Sequence, residues 1–381
     1  MARQLLSTPR PSKPRVSRAV TLTLVNAGLF LGLLIVVEGL SSVLLFTWDA
    51  LHASLNHGLR HTRYDPMLGW APVPDLDLPD MYGAGVYLRT NSQGFRGDRE
   101  YTEAVPPGKH RVICSGDSVT FGQGVDDGHS WCRLLESLDQ RLETVTMAFP
   151  GYGVDQAYLW YKRDAARLQH DVHLFAPVAD DFRRMQFKRA YGYGKPFLAT
   201  ESGELTVKNV PVPEGRYRTP WLTQSLQAIA SLRVVQAIRR IDWMRSTSHA
   251  APGELSTAAR AELDERTARI IPEVLADLKR LNDARSSQLV VVFLPTLYDR
   301  ERPDSALWPA VLERECEVLG IPFVNLAEDL EPLSDEETAR LFLDDRGHFN
   351  VSGNQYVAKQ VYGRLWSIPA VSRTLSAADR R

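Results

Sequence analysis

Residues Arg111–Val125, RVICSGDSVTFGQGV, decide how this chain is read. A short apolar run (Val112, Ile113, Cys114) leads into Gly116-Asp117-Ser118 and then into a glycine-rich turn through Gly122 and Gly124. A buried strand that ends in a tight turn has this pattern, and a serine on such a turn presents its hydroxyl at the edge of the sheet instead of packing it inside. Ser118 is therefore the candidate nucleophile.

A serine hydroxyl is a weak nucleophile at its own pKa, so it needs a base, and the base needs an orienter. Both are found far along the chain in Leu343–Asn350, LDDRGHFN. His348 supplies an imidazole, and Asp345, three residues earlier, is near enough in a loop to hold its second nitrogen. Asp344 is the alternative orienter. His129, His170 and His173 have no partner at useful spacing and read as surface or core residues.

The chain around Ser118 alternates strands with helices. Trp131, Leu134, Leu135, Leu138 and Leu142 follow helical spacing, with Ser130 placed to cap. Val145–Phe149 is a second strand leading into Pro150-Gly151-Tyr152-Gly153, a helix runs over Asp155–Leu168, and Val172–Val178 is a third strand. This rhythm indicates βαβ units and a parallel sheet. In such sheets chemistry gathers at the carboxyl ends of the strands, which is where Ser118, Gly151 and Asp180-Asp181 fall.

An insertion over residues 186–255 breaks the rhythm. Lys195–Pro213 alternates apolar and polar residues around Glu201-Ser202-Gly203, predicting a β-hairpin, and Trp221–Met244 has a helical pattern. The insertion is placed either to wall the substrate or to elaborate the surface. A helix over Ser256–Ala284, bent or restarted at Pro272, and strands at Gln288–Leu294 and Pro322–Leu326 resume the α/β pattern. The last helix opens on Ser352-Gly353-Asn354-Gln355 as a capping box and buries Val357, Val361 and Leu365. Residues 371–381 read as a frayed tail.

Upstream, residues 1–18 carry Arg3, Arg10, Lys13, Arg15 and Arg18 without an acidic residue and are expected to be disordered. Ala19–Trp48 is apolar over about 30 residues, a transmembrane helix by length and longer than the core of a cleaved signal peptide. Glu38 inside it is costly at bilayer depth and faces a partner helix or snorkels outward. Positive charge before the span and Asp49 after it place the N-terminus in the cytoplasm and the rest beyond the membrane, in the periplasm of a two-membrane bacterium. Residues 49–105, rich in Pro, Gly and Asp but carrying Trp70, Tyr82, Tyr87 and Phe95, read as an irregular pre-domain packed on a domain spanning 106–370.

A formal net charge of −1 over 381 residues, with no basic-aromatic stripe, argues against nucleic acid as a partner. Cys114, Cys132 and Cys316 have no metal-type spacing and indicate neither a disulfide framework nor a zinc site. Cys114 and Cys132 read as buried fillers, with one pairing among the three left open. Asp126-Asp127 and Asp335-Glu336-Glu337 read as solvated charge clusters. Neither a phosphate-cradling loop nor a metal-ligand cluster is visible, so no cofactor is expected.

The Gly116-Asp117-Ser118 turn early in an α/β domain and Asp345-x-x-His348 near its end resemble the SGNH, or GDSL-type, esterase and acyltransferase superfamily. In its bacterial membrane-anchored members an Asn-Ser-x-Gly-Phe-Arg segment precedes the turn, here Asn91–Arg96. That segment is either near the active-site rim or a structural turn. The resemblance implies a flavodoxin-like three-layer α/β domain with a central parallel sheet and a Ser118–His348–Asp345 triad. It also implies an oxyanion hole from the N–H groups of Ser118 and Gly151 and an asparagine amide. Asp180 occupies the asparagine position, and an ionised carboxylate has no proton to donate. Asp180 is then held protonated, or turned away and paired with Arg183 or Arg184, or marks a weak enzyme. The resemblance implies a membrane-anchored extracytoplasmic esterase or deacylase for ester-linked acyl groups on carbohydrate or envelope substrates. The alternatives are an O-acyltransferase for an envelope or exported polysaccharide and an inactive polysaccharide-binding or assembly factor.

Overall fold

The computed structural model describes residues 18–51, 61–190, 193–201, 204–213, 234, 257–300 and 303–376. Five strands form one parallel sheet: β1 (His110–Gly116), β2 (Leu142–Ala148), β3 (Val172–Ala176), β4 (Gln288–Phe293) and β5 (Phe323–Asn325). Their spatial order is β5-β4-β3-β1-β2. The order reverses at β1, and in a sheet of this kind the crevice at the reversal is where ligands bind. The register puts Gly116 level with both Ala148 and Ala176, so the loops after β1, β2 and β3 leave the sheet on one edge.

Side chains that alternate along β1 supply both faces, as a sheet buried on two sides requires. Ile113 packs into one core with α4 (Val154–Asp164), α7 (Ile271–Asp283) and α8 (Leu307–Leu319). Val112 and Cys114 pack into the other with α3 (Trp131–Leu138) and α9 (Val351–Ser367). The expected three-layer α/β architecture is present. The predicted helix restart at Pro272 is seen as two helices, α6 (Thr257–Ala268) and α7. The predicted hairpin pairs Phe197–Glu201 with Glu204–Lys208 in antiparallel register. The helical reading of 221–244 lies outside the described residues apart from Val234, as do 1–17 of the N-terminal segment.

Several local expectations differ. Residues 62–72 and 77–89 form two short antiparallel hairpins, and Trp70, Leu88, Phe95 and Tyr101 enter the same core as β1. The C-terminal segment is helical over Pro369–Ser376, because Val371 and Leu375 are buried and anchor it. Helix α9 is capped by Asn350, whose side chain accepts from the Gly353 N–H, and not by Ser352. Cys114 and Cys132 are disulfide-bonded, joining β1 to α3, and Cys316 is free and buried. Sequence spacing could not choose this pair, which depends on α3 lying against β1.

The chain divides into two compact units, one of residues 1–53 with 218–251 and one of 54–217 with 252–381. In the first, α1 (Arg18–Leu51) contains Val20–Leu44, 25 residues of mean hydropathy 2.4, long and apolar enough to cross a bilayer. Both a membrane anchor and a signal sequence have this character. Glu38 accepts from the Val234 N–H at 3.1 Å, so it has a partner in the same unit. The second unit contains the sheet and everything described below.

Candidate active site

Ser118 opens α2 (Ser118–Phe121), a single helical turn that begins where β1 ends. Asp117 caps it, its Oδ1 accepting from the Val119 N–H at 2.8 Å. Gly122 closes it in the left-handed region at φ 78°, a conformation that suits glycine. A Cβ there would also meet Ser130 and Arg96, so the turn is tight on both counts. As the first helical residue, Ser118 has an N–H with no intrahelical acceptor.

Ser118, His348 and Asp345 are brought together in one hydrogen-bonded chain. Ser118 Oγ lies 2.8 Å from His348 Nε2, and His348 Nδ1 lies 2.5 Å from Asp345 Oδ2. Asp345 is fixed by its own loop, since its Oδ1 accepts from the N–H groups of Gly347 and His348 at 3.0 and 3.1 Å. Tyr298 Oη donates to the Asp345 carbonyl at 2.9 Å. Burial pushes the Asp345 carboxyl up, but the hydrogen bond and charge of His348 and the two N–H groups outweigh it, and it titrates below its ordinary 3.8. Asp345, not Asp344, holds the imidazole. Ser118 Oγ is also 3.3 Å from Asp117 Oδ2, a longer contact than the one to His348.

The loops after β1, β2 and β3 are tied behind the serine by Arg184, a role that the sequence reading did not assign. Its Nη1 donates to Asp117 Oδ2 at 2.8 Å, to the Tyr152 carbonyl at 3.0 Å and to Asp181 Oδ1 at 2.5 Å. Asp181 in turn accepts from the Val178 N–H. Burial, then the nearby Asp117 carboxylate, hold Asp181 well above the usual carboxylate range, with Arg184 acting against them. Behind this lies a fully buried ion pair of Lys195 and Asp155, with Lys195 Nζ also donating to the Arg184 carbonyl at 3.0 Å. The only trace of Arg184 in the sequence is its three-residue spacing from Asp181.

Gly151 follows β2 in the left-handed region at φ 78°, beside Pro150, whose carbonyl accepts from Trp70 Nε1 at 3.1 Å. Asp180 opens toward solvent, its side chain 43% exposed and 2.9 Å from Arg183 Nη1. Of the three outcomes open at this position, the geometry is that of a carboxylate turned to Arg183.

Arg96, from the Asn91–Arg96 segment, supports the nucleophile turn from below. Its Nη1 donates to the carbonyls of Phe121 and Gly122, its Nη2 to that of Val125, and its Nε to Asp127 at 3.0 Å. The segment is a structural clamp, and Asp127 is its half-buried partner instead of part of a solvated cluster. His129 pairs with Asp126 on the surface, while His170 and His173 are core residues, His173 stacked on Tyr161 at 3.6 Å.

A parallel α/β protein with its sheet in 2-1-3-4-5 order, carrying a hydrogen-bonded Ser–His–Asp chain at the strand ends, is the class that fold and site define. Solved structures similar to this chain include a putative lipolytic protein of the G-D-S-L family from Desulfitobacterium hafniense, 11% identical over 68% of this chain and 100% of that one, with a TM-score of 0.38. A member of the lipolytic protein G-D-S-L family from Veillonella parvula is 11% identical over 67% and 97%, with a TM-score of 0.36. The psychrotrophic esterase EstA from Pseudoalteromonas sp. is 10% identical over 68% and 98%, with a TM-score of 0.39. No protein-family model and no curated protein matches the chain.

Proposed function

We propose that the chain is a membrane-anchored, extracytoplasmic serine esterase that acts on ester-linked acyl groups of carbohydrate or envelope substrates. The observation that carries this reading is the 2.8 Å contact of Ser118 Oγ with His348 Nε2, continued to Asp345. His348 Nε2 takes the Ser118 proton as Oγ attacks the acyl carbon, and Asp345 stabilises the imidazolium that forms. The N–H groups of Ser118 and Gly151 hold the tetrahedral oxyanion. The imidazolium then gives its proton to the departing alcohol oxygen, and the C–O bond of the ester breaks. Water, activated by the same imidazole, cleaves the acyl-serine and releases the acid.

The Cys114–Cys132 disulfide supports an oxidising compartment for this unit. The apolar α1 supports anchoring. One observation favours a second reading, a weak or inactive polysaccharide-binding or assembly factor: the residue at 180 is a carboxylate turned to Arg183. An O-acyltransferase would use the same triad with a sugar hydroxyl in place of water.

Hydrolysis of p-nitrophenyl acetate by the purified full-length chain separates the two catalytic readings from the inactive one. Activity that falls at least about 1,000-fold in Ser118→Ala supports the serine chemistry that the esterase and the acyltransferase share. Activity unchanged in that variant refutes the assignment of the nucleophile.

A further inference from the structure

A cavity of about 180 Å³ at the amino end of α3 is lined by neither Ser118 nor His348. Four arginines line it, Arg89, Arg96, Arg99 and Arg133, against two carboxylates, Asp98 and Asp127. Asp127 is already engaged by Arg96 and by the Arg89 N–H. Glu136, behind the wall, holds Arg99 through both of its oxygens and takes Arg133 Nη1. Among the described residues, the Arg89 side chain makes a 3.5 Å contact to Asp77 and stacks on Tyr87. The side chains of Arg89, Arg99 and Arg133 are all about one-third exposed.

Ser130 is the feature that turns this charged hollow into a site. It holds the N-cap position of α3, an eight-residue helix, yet makes no side-chain capping hydrogen bond. Ser130 lines the cavity, and its Oγ is buried and has no hydrogen-bond partner among the described residues. The residue as a whole is 1% exposed. An N-cap serine ordinarily accepts from the second or third helical N–H, and an unpartnered buried hydroxyl costs about 1–3 kcal/mol. A hydroxyl left in this state beside a helix amino end and arginine donors is arranged as a donor to an anion.

We propose that this cavity binds a compact oxyanion, a phosphate or a carboxylate group, held by Ser130 Oγ and the guanidinium groups of Arg89 and Arg133. The volume suits one such group and excludes a whole sugar chain, so a larger molecule would insert only its charged group. Because Arg96 forms part of the wall and also holds the carbonyls of Phe121, Gly122 and Val125, the occupant lies one side chain away from the nucleophile turn. The site is separate from the Ser118 chemistry and stands whether or not the chain is an esterase.

Titration calorimetry of the full-length chain in detergent, against inorganic phosphate and against glucuronate, tests this in chloride buffer of matched ionic strength. At least one of the two should bind saturably at one site, and Arg133→Gln and Ser130→Ala should each weaken it about tenfold. Ser118→Ala should leave the binding constant unchanged. Arg133 is at the rim, so its variant reports even where the buried Ser130→Ala fails to fold. Absence of saturable binding by both anions would overturn the proposal, as would binding that Arg133→Gln leaves untouched or that Ser118→Ala removes.

Discussion

At the scale of single residues, position 180 carries the sharpest chemical consequence. Its carboxylate pairs with Arg183 and has no proton to offer an oxyanion, so in the proposed mechanism only two backbone donors serve the hole. Losing one donor of an oxyanion hole typically costs about 100- to 1,000-fold in rate. Asp180→Asn is therefore expected to raise kcat on p-nitrophenyl acetate by about tenfold or more, recovering part of that loss. A large fall instead would show that the Asp180–Arg183 pair has a catalytic role of its own. Asp345 behaves differently. Its lowered titration keeps it ionised through the neutral range, so it can face an imidazolium without changing its own charge.

The element scale explains how residues 230 positions apart meet. Helix α9 follows the His348 loop and packs against α3, and Asn354 locks the two together. Its Oδ1 accepts from the Trp131 N–H at 2.9 Å, and its Nδ2 donates to the carbonyls of Phe349 and Asn350 at 3.0 Å. The side chain is 1% exposed, so truncation leaves buried groups without partners. Asn354→Ala should cost about 2 kcal/mol in urea unfolding and should lower kcat through displacement of His348. Stability within about 0.5 kcal/mol of the wild type would show that this tie holds nothing.

What could be read beforehand follows the same division. The strands around Val112, Val145, Val172 and Val290 are legible because short apolar runs bounded by Gly, Pro and Asp carry their own signal. Ser118 and His348 are legible because both sit on turns whose residue types restrict the backbone. Arg184, Arg96 and Asn354 are not, since each acts on carbonyls or carboxylates supplied by other elements, and only the folded arrangement shows which. The helix at Pro369–Ser376 escaped for a related reason, as it needs a core to receive Val371 and Leu375. The unpartnered Ser130 hydroxyl contradicts its local pattern, which is the pattern of an ordinary cap.

For the whole molecule, the disulfide and the apolar α1 bear on the same proposal, an anchored unit outside the cytoplasm. Cys114 and Cys132 close an 18-residue separation across the nucleophile turn, and for a loop of this length a crosslink contributes about 3 kcal/mol. In cells, both cysteines should resist alkylation until a reductant is added after unfolding, while Cys316 reacts on unfolding alone. Free alkylation of Cys114 and Cys132 without reductant would place the unit in a reducing compartment. The central claim, that Ser118 is the hydroxyl activated by His348, has a more direct test. Mass-spectrometric mapping after exposure to a fluorophosphonate should find the adduct on Ser118 in the wild-type chain and none in His348→Ala; labelling of another residue, or equal labelling of Ser118 in that variant, would contradict it.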